Sequence, residues 1–214
     1  MAYRKYDTCF FERYATLELQ QLLGHKFDDL VNEDRPDLQS ADRRRLGIEV
    51  TRAMEQGKHV AQQMLKEMSG IVDVSHPEDD VIRRITESGY SYGLNDDIVG
   101  RIESDYWSTA LPMKQIISSK VAKVASGFYG EFEEFGLFVF SKDQVSELSA
   151  METVRYILSL QRDNDLRYAR LFISSVDTLY ACNLEDGISD MYRVTEIQIS
   201  REQRRNFYLG ALKY

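Results

Sequence analysis

Asp37 and Glu49 are the residues whose types and spacing could do chemistry. In RPDLQSADRRRLGIEV, residues 35–50, an aspartate follows a proline, a basic run intervenes, and a glutamate sits between Ile48 and Val50. A hairpin that brings two such carboxylates onto one face offers oxygen ligands to a hard divalent ion, Mg²⁺ or Mn²⁺, which takes one or two carboxylates and completes its shell with water and phosphate oxygens. Such an ion polarises a phosphodiester and activates a water, and a cation beside it steadies the charge that develops. The simplest place for that cation is two residues after the glutamate, because strand alternation returns position 51 to the same face. Position 51 is a threonine. The competing reading is structural: Asp37 caps a turn, as an aspartate after proline commonly does, and Glu49 lies on an exposed strand face.

The elements that must position these residues can be read from periodicity. DTCFFERYATLELQQLL carries apolar residues at helical spacing (Phe10, Tyr14, Leu17, Leu22), with Asp7 or Thr8 as N-cap. After the polar turn NEDRPDLQSADRRR, LGIEVT reads as a strand that buries Ile48 and Val50 on one side and turns Glu49 to the other, where Gly47 leaves room. Residues 52–68 are expected to form a helix with Met54, Val60, Ala61, Met64 and Met68 in a stripe, and a short helix is expected from Ser75. LPMKQIISSKVAKVASG predicts an amphipathic helix ending near Gly127, FGLFVFS a strand covered on both faces, and residues 145–161 another helix. YARLFISSVDTLYACNL predicts two strands broken at Val176 to Thr178, and SREQ opens the last helix with Ser200 as N-cap and Gln203 at its third position. Strands interleaved with helices imply one α/β domain over residues 1–214, a central mixed β-sheet flanked by helices.

Through Pro36, Asp37 and Glu49, and through its order of helix, hairpin and helix over residues 10–70, the chain resembles the PD-(D/E)XK nuclease superfamily. The resemblance implies a restriction-endonuclease-like core at about 8–70 with a helical insertion at about 75–110, and hydrolysis of DNA or RNA phosphodiesters with Mg²⁺ or Mn²⁺ held by Asp37 and Glu49. In that family the lysine can move to a neighbouring helix. Here Lys58, Lys120 and Lys123 are the candidates, with Lys120 preferred because it lies on a helix that could cross the sheet, whereas Lys58 follows the helix-weakening Gly57. The family also often adds an acid from the first helix, for which Glu18, or else Glu12, would stand. Arg43, Arg44 and Arg45, the densest basic run, would hold phosphates beside the carboxylates or simply solvate the turn. With no lysine at position 51, the alternative is a scaffold that has lost its chemistry and serves as a binding or interaction module.

Composition bounds these readings. A formal net charge of −8 argues against coating nucleic acid by bulk electrostatics but allows a local basic cleft. With 43% hydrophobic and 11% aromatic residues the chain can fold, and its 13 tyrosines are expected in the core and at its rim. No apolar run approaches the ~20 residues of a membrane span, and two cysteines far apart suit buried thiols, so a soluble, cytoplasmic protein is expected. His25, His59 and His76 lack zinc spacing, and the glycines form neither a phosphate loop nor a Gly-x-Ser-x-Gly elbow. Arg204 and Arg205 are expected on a solvated face. Oligomeric state is not legible in the sequence.

Overall fold

The computed structural model describes residues 9–53, 58–73, 113–142, 145–189 and 193–212. In chain order they form α1 (Cys9–Leu23), a 3₁₀ turn (Gly24–Phe27), β1 (Leu30–Asn32), β2 (Leu38–Ser40), β3 (Leu46–Ala53) and α2 (Lys58–Met68). A helix α3 (113–125) follows, then β4 (Glu134–Ser141), α4 (Glu147–Leu160), β5 (Tyr168–Ser174), β6 (Thr178–Asn183), β7 (Val194–Gln198) and α5 (Arg201–Ala211). The seven strands lie in one sheet in sequence order, with β3, β4 and β5 parallel and the other neighbours antiparallel. This is an α/β fold with a mixed sheet flanked by helices, as the alternation of elements predicts.

Strand alternation divides the interior into two cores. Ile48, Phe138, Phe140, Phe172 and Leu179 face α1, α2 and α5, where they meet Tyr14, Met64, Met68 and Phe207. Leu137, Val139, Leu171, Ile173 and Cys182 face α3 and α4, against Ile117, Val121, Val124, Val154 and Ile157. β4 is buried on both faces along nearly its whole length, which is why FGLFVFS is an apolar run without alternation. Capping fixes two helix starts: the Ser146 and Ser200 side chains each accept from the backbone N–H three residues on, and Ser149 and Gln203 complete the capping boxes.

Three features depart from the sequence reading. β3 runs on through Ala53, so residues 52 and 53 are strand where a helix was expected to begin. β1, β2 and β7 emerge from segments read as polar turn or left unassigned; β1 and β2 have three residues each, too few to display a period. Arg204, expected in solvent, is 5% exposed and donates through Nη1 to the Glu67 carbonyl at 2.7 Å, tying α5 to the end of α2. The expected helix from Ser75, the insertion at 75–110, and His59, His76 and Met54 lie outside the described residues or their described side chains. Among the described residues no helix is long and apolar enough to cross a membrane.

Candidate functional site

The β2–β3 hairpin decides where the acids go. Leu38 pairs with Ile48 and Gln39 with Gly47, and the same register carried one step further sets Asp37 opposite Glu49, on the face toward α3. The ladder itself stops at Leu38. Asp37 instead uses its side chain: its Oδ2 accepts the Val50 backbone N–H at 2.8 Å, filling the place of a strand partner and pinning the carboxylate to the middle of β3. Pro36 is buried against Gly47, where an added Cβ would lie 2.7 Å from the proline Cγ and 3.0 Å from the Phe132 ring. Gly47 is therefore what lets the Pro36–Asp37 corner settle onto the sheet.

Glu49 is 7% exposed, so it does not lie on the open strand face that a purely structural hairpin would give it. Its Oε1 accepts from Lys120 Nζ, a pair that spans 71 positions of sequence and joins β3 to α3. A lysine from α3, the helix packed across this face, therefore stands at Glu49, whereas position 51 is a threonine. Burial, and after it the charge of Glu49, pushes the Asp37 carboxyl up to about 6, while the Val50 N–H and Lys120 pull it down.

Two tyrosines close the floor. Tyr129 is 4% exposed, and burial together with Glu49 pushes its hydroxyl far above the ordinary phenol range. Tyr168, from β5, is shifted the same way by burial and by Tyr129, and its hydroxyl lies 3.5 Å from the Lys120 carbonyl. Among the described residues the Tyr129 hydroxyl has no hydrogen bond of good geometry, although Glu49 and Tyr168 are beside it. No local pattern in the sequence marks either tyrosine, because each reaches the site from a distant element.

Other expected site residues fall elsewhere. Glu18 lies on the opposite face of the sheet, sealed from solvent, where its Oε2 accepts from Ser174 Oγ at 3.1 Å. The acid of α1 that does act on Asp37 is Glu12, which raises its pKa and accepts from Asn32 Nδ2 at 2.8 Å. Arg43 and Arg45 are taken up at the far end of the hairpin by Glu33 and Asp29, each at 2.5 Å, and the Arg44 backbone N–H donates to Asp42. The arginine run is not brought to the carboxylates. Lys123 lies 5.3 Å from the centre of the Phe128 ring, and the Lys58 side chain is outside those described.

Among the described residues, no three of His, Cys, Asp and Glu stand close enough to enclose a metal ion with protein ligands alone. Asp37 and Glu49 nevertheless suit Mg²⁺ or Mn²⁺, which need only one or two carboxylates when water and phosphate supply the rest. Burial, and after it the charge of Glu49, lifts the Asp37 carboxyl, and a cation between the acids would remove the smaller, repulsive part of that lift. No protein-family model matches the chain, and comparison with curated proteins and with solved structures finds no match either.

Proposed function

We propose that the protein is a metal-dependent nuclease of PD-(D/E)XK type that hydrolyses phosphodiesters of DNA or RNA, with Asp37 and Glu49 as metal ligands and Lys120 in the place of the motif lysine. The observation that carries this reading is the Lys120–Glu49 pair beside Asp37: an acid, an acid and a lysine converge on one face from three separate elements. When bound, Mg²⁺ or Mn²⁺ supplies Lewis-acid polarisation of the phosphate and a more acidic water. The chain's own groups do the positioning. The Val50 N–H holds Asp37 in one orientation, and Pro36 packed on Gly47 fixes the backbone behind it. Lys120 has three donors and gives one to Glu49, which leaves two for a phosphate oxygen as negative charge builds there. Tyr129 can donate to Glu49 and hold its carboxylate in one rotamer.

The test is cleavage of single- and double-stranded DNA and RNA with Mn²⁺, run beside Asp37→Ala and Glu49→Ala. Activity that requires the metal and both acids is expected, rising with pH through about 6 as Asp37 loses its proton and shifting to lower pH as Mn²⁺ is raised. Wild-type activity no greater than that of the two variants would sink the proposal. That result favours a binding module, because Lys120 already balances the charge of Glu49 without a metal.

A further inference from the structure

Beside the carboxylates stands a surface group that the reading above does not use. Phe128 is 47% exposed, while the other phenylalanines are buried or half-buried. The chain presents it deliberately: Gly127 at φ +70° ends α3 and Gly130 at φ +81° turns the backbone back, so both ends of the short loop adopt conformations that favour glycine. Two cations lie over the ring, the Arg35 guanidinium and the Lys123 ammonium, each 5.3 Å from its centre. Each of the three is a near neighbour in sequence of a site residue: Arg35 stands two residues before Asp37, Lys123 is one helical turn from Lys120, and Phe128 adjoins Tyr129, with ring centres 5.3 Å apart. In a chain of net charge −8, residues 113–125 of α3 contain three lysines and no acid. A basic helix beside an acidic site supplies the local field a polyanion needs to approach.

We propose that Phe128, with Arg35 and Lys123, is a stacking platform for an unpaired base, so that the substrate is single-stranded nucleic acid or a single-stranded segment of a longer molecule. This deepens the nuclease reading and rests on it for the position of the scissile phosphate. An exposed ring flanked by cations fits a single strand: one base stacks on the ring, and the displaced cation moves to an adjacent phosphate. In a duplex the base faces are already stacked on one another and cannot reach the ring. Stacking reads no hydrogen-bond pattern, so DNA and RNA share this chemistry, and the sugar is decided by whatever else touches the strand.

Binding is measured by fluorescence anisotropy in EDTA, so that cleavage plays no part, with single-stranded DNA, single-stranded RNA and a blunt DNA duplex of the same sequence. The expected result is tighter binding of at least one single strand than of the duplex, a loss on the order of tenfold for the single strand in Phe128→Ala, and retention in Phe128→Trp. A 2-aminopurine in the strand should be quenched by wild type and not by Phe128→Ala. Equal single-strand affinity of wild type and Phe128→Ala would overturn the platform, as would an equal loss for strand and duplex, or no single-strand binding at all. The two readings fail separately. Phe128-dependent binding without Mn²⁺-dependent cleavage ends the catalytic reading and leaves the platform, whereas cleavage in Phe128→Ala with unchanged KM ends the platform and leaves the nuclease.

Discussion

Glu18, on α1, and Glu49, on β3, are both buried glutamates, one on each side of the sheet, and the protein treats them in opposite ways. Glu18 accepts from the Ser174 hydroxyl; among the described residues its Oε1 has no hydrogen-bond partner, and burial pushes its carboxyl up to about 8. Near neutral pH it is a protonated, uncharged part of the core. Glu49 is given a lysine, a neighbouring carboxylate and the Tyr129 hydroxyl close by, at a rim where Asp37 is still half-exposed. Burial alone does not set an acid's charge state. What separates the two is whether charged partners from other elements converge on it while a path to solvent stays open.

Removing the charged partner should break this comparison with the largest effect. If cleavage runs as proposed, Lys120→Met is expected to lower kcat of Mn²⁺-dependent cleavage by roughly 10²–10³ with little change in KM, since its ammonium would act on charge that forms in the transition state. Lys120→Arg should recover part of that loss; equal rates for wild type and Lys120→Met would remove the lysine from the site. A smaller effect is expected from crowding the hairpin. Gly47→Ala must displace Pro36 or Phe132, and a cost of about 1–3 kcal/mol is expected in denaturant unfolding, with reduced cleavage as Asp37 leaves the Val50 N–H. An unchanged midpoint and rate would show that the corner has slack.

The smallest change belongs on the other face. Because the folded state holds the Glu18 proton up to about pH 8 and the unfolded state releases it near 4.5, stability should fall as pH rises through that window. Glu18→Gln should remove this component of the slope and gain at least about 1 kcal/mol above pH 8, without altering cleavage. A loss of metal-dependent activity in Glu18→Gln would mean that the two faces are not separate after all.

Much of this was legible in sequence where one element carried the whole signal. Ile48 and Val50 flanking Glu49 gave β3 and its face, and Ser200 with Gln203 gave the start of α5. Lys120 could be singled out as a helix-borne cation, but its pairing with Glu49 is a property of how α3 lies across β3, which periodicity does not encode. Glu18 and Glu12 lie on the same helix, and only the packing of α1 decides that one is sealed against Ser174 while the other acts on Asp37. The charge of Arg204 suggests solvent, whereas its long stem reaches the Glu67 carbonyl at the end of α2, which also accepts from the Gly70 N–H. The three-residue strands β1 and β2 take their identity from their neighbours, not from themselves.

The sequence separation across the site also sets the order in which the molecule can assemble. β5 and β6 close through a turn of three residues, so that hairpin can form early and locally. Glu49 and Lys120 are 71 positions apart, and the parallel pairing of β3 with β4 on which α3 rests is comparably remote. Closing so long a loop costs chain entropy before any contact repays it. A nascent chain would therefore carry its Asp37–Glu49 hairpin for some time before the lysine arrives. The charge-balanced site should be among the last features to mature, appearing only as the central parallel strands lock together.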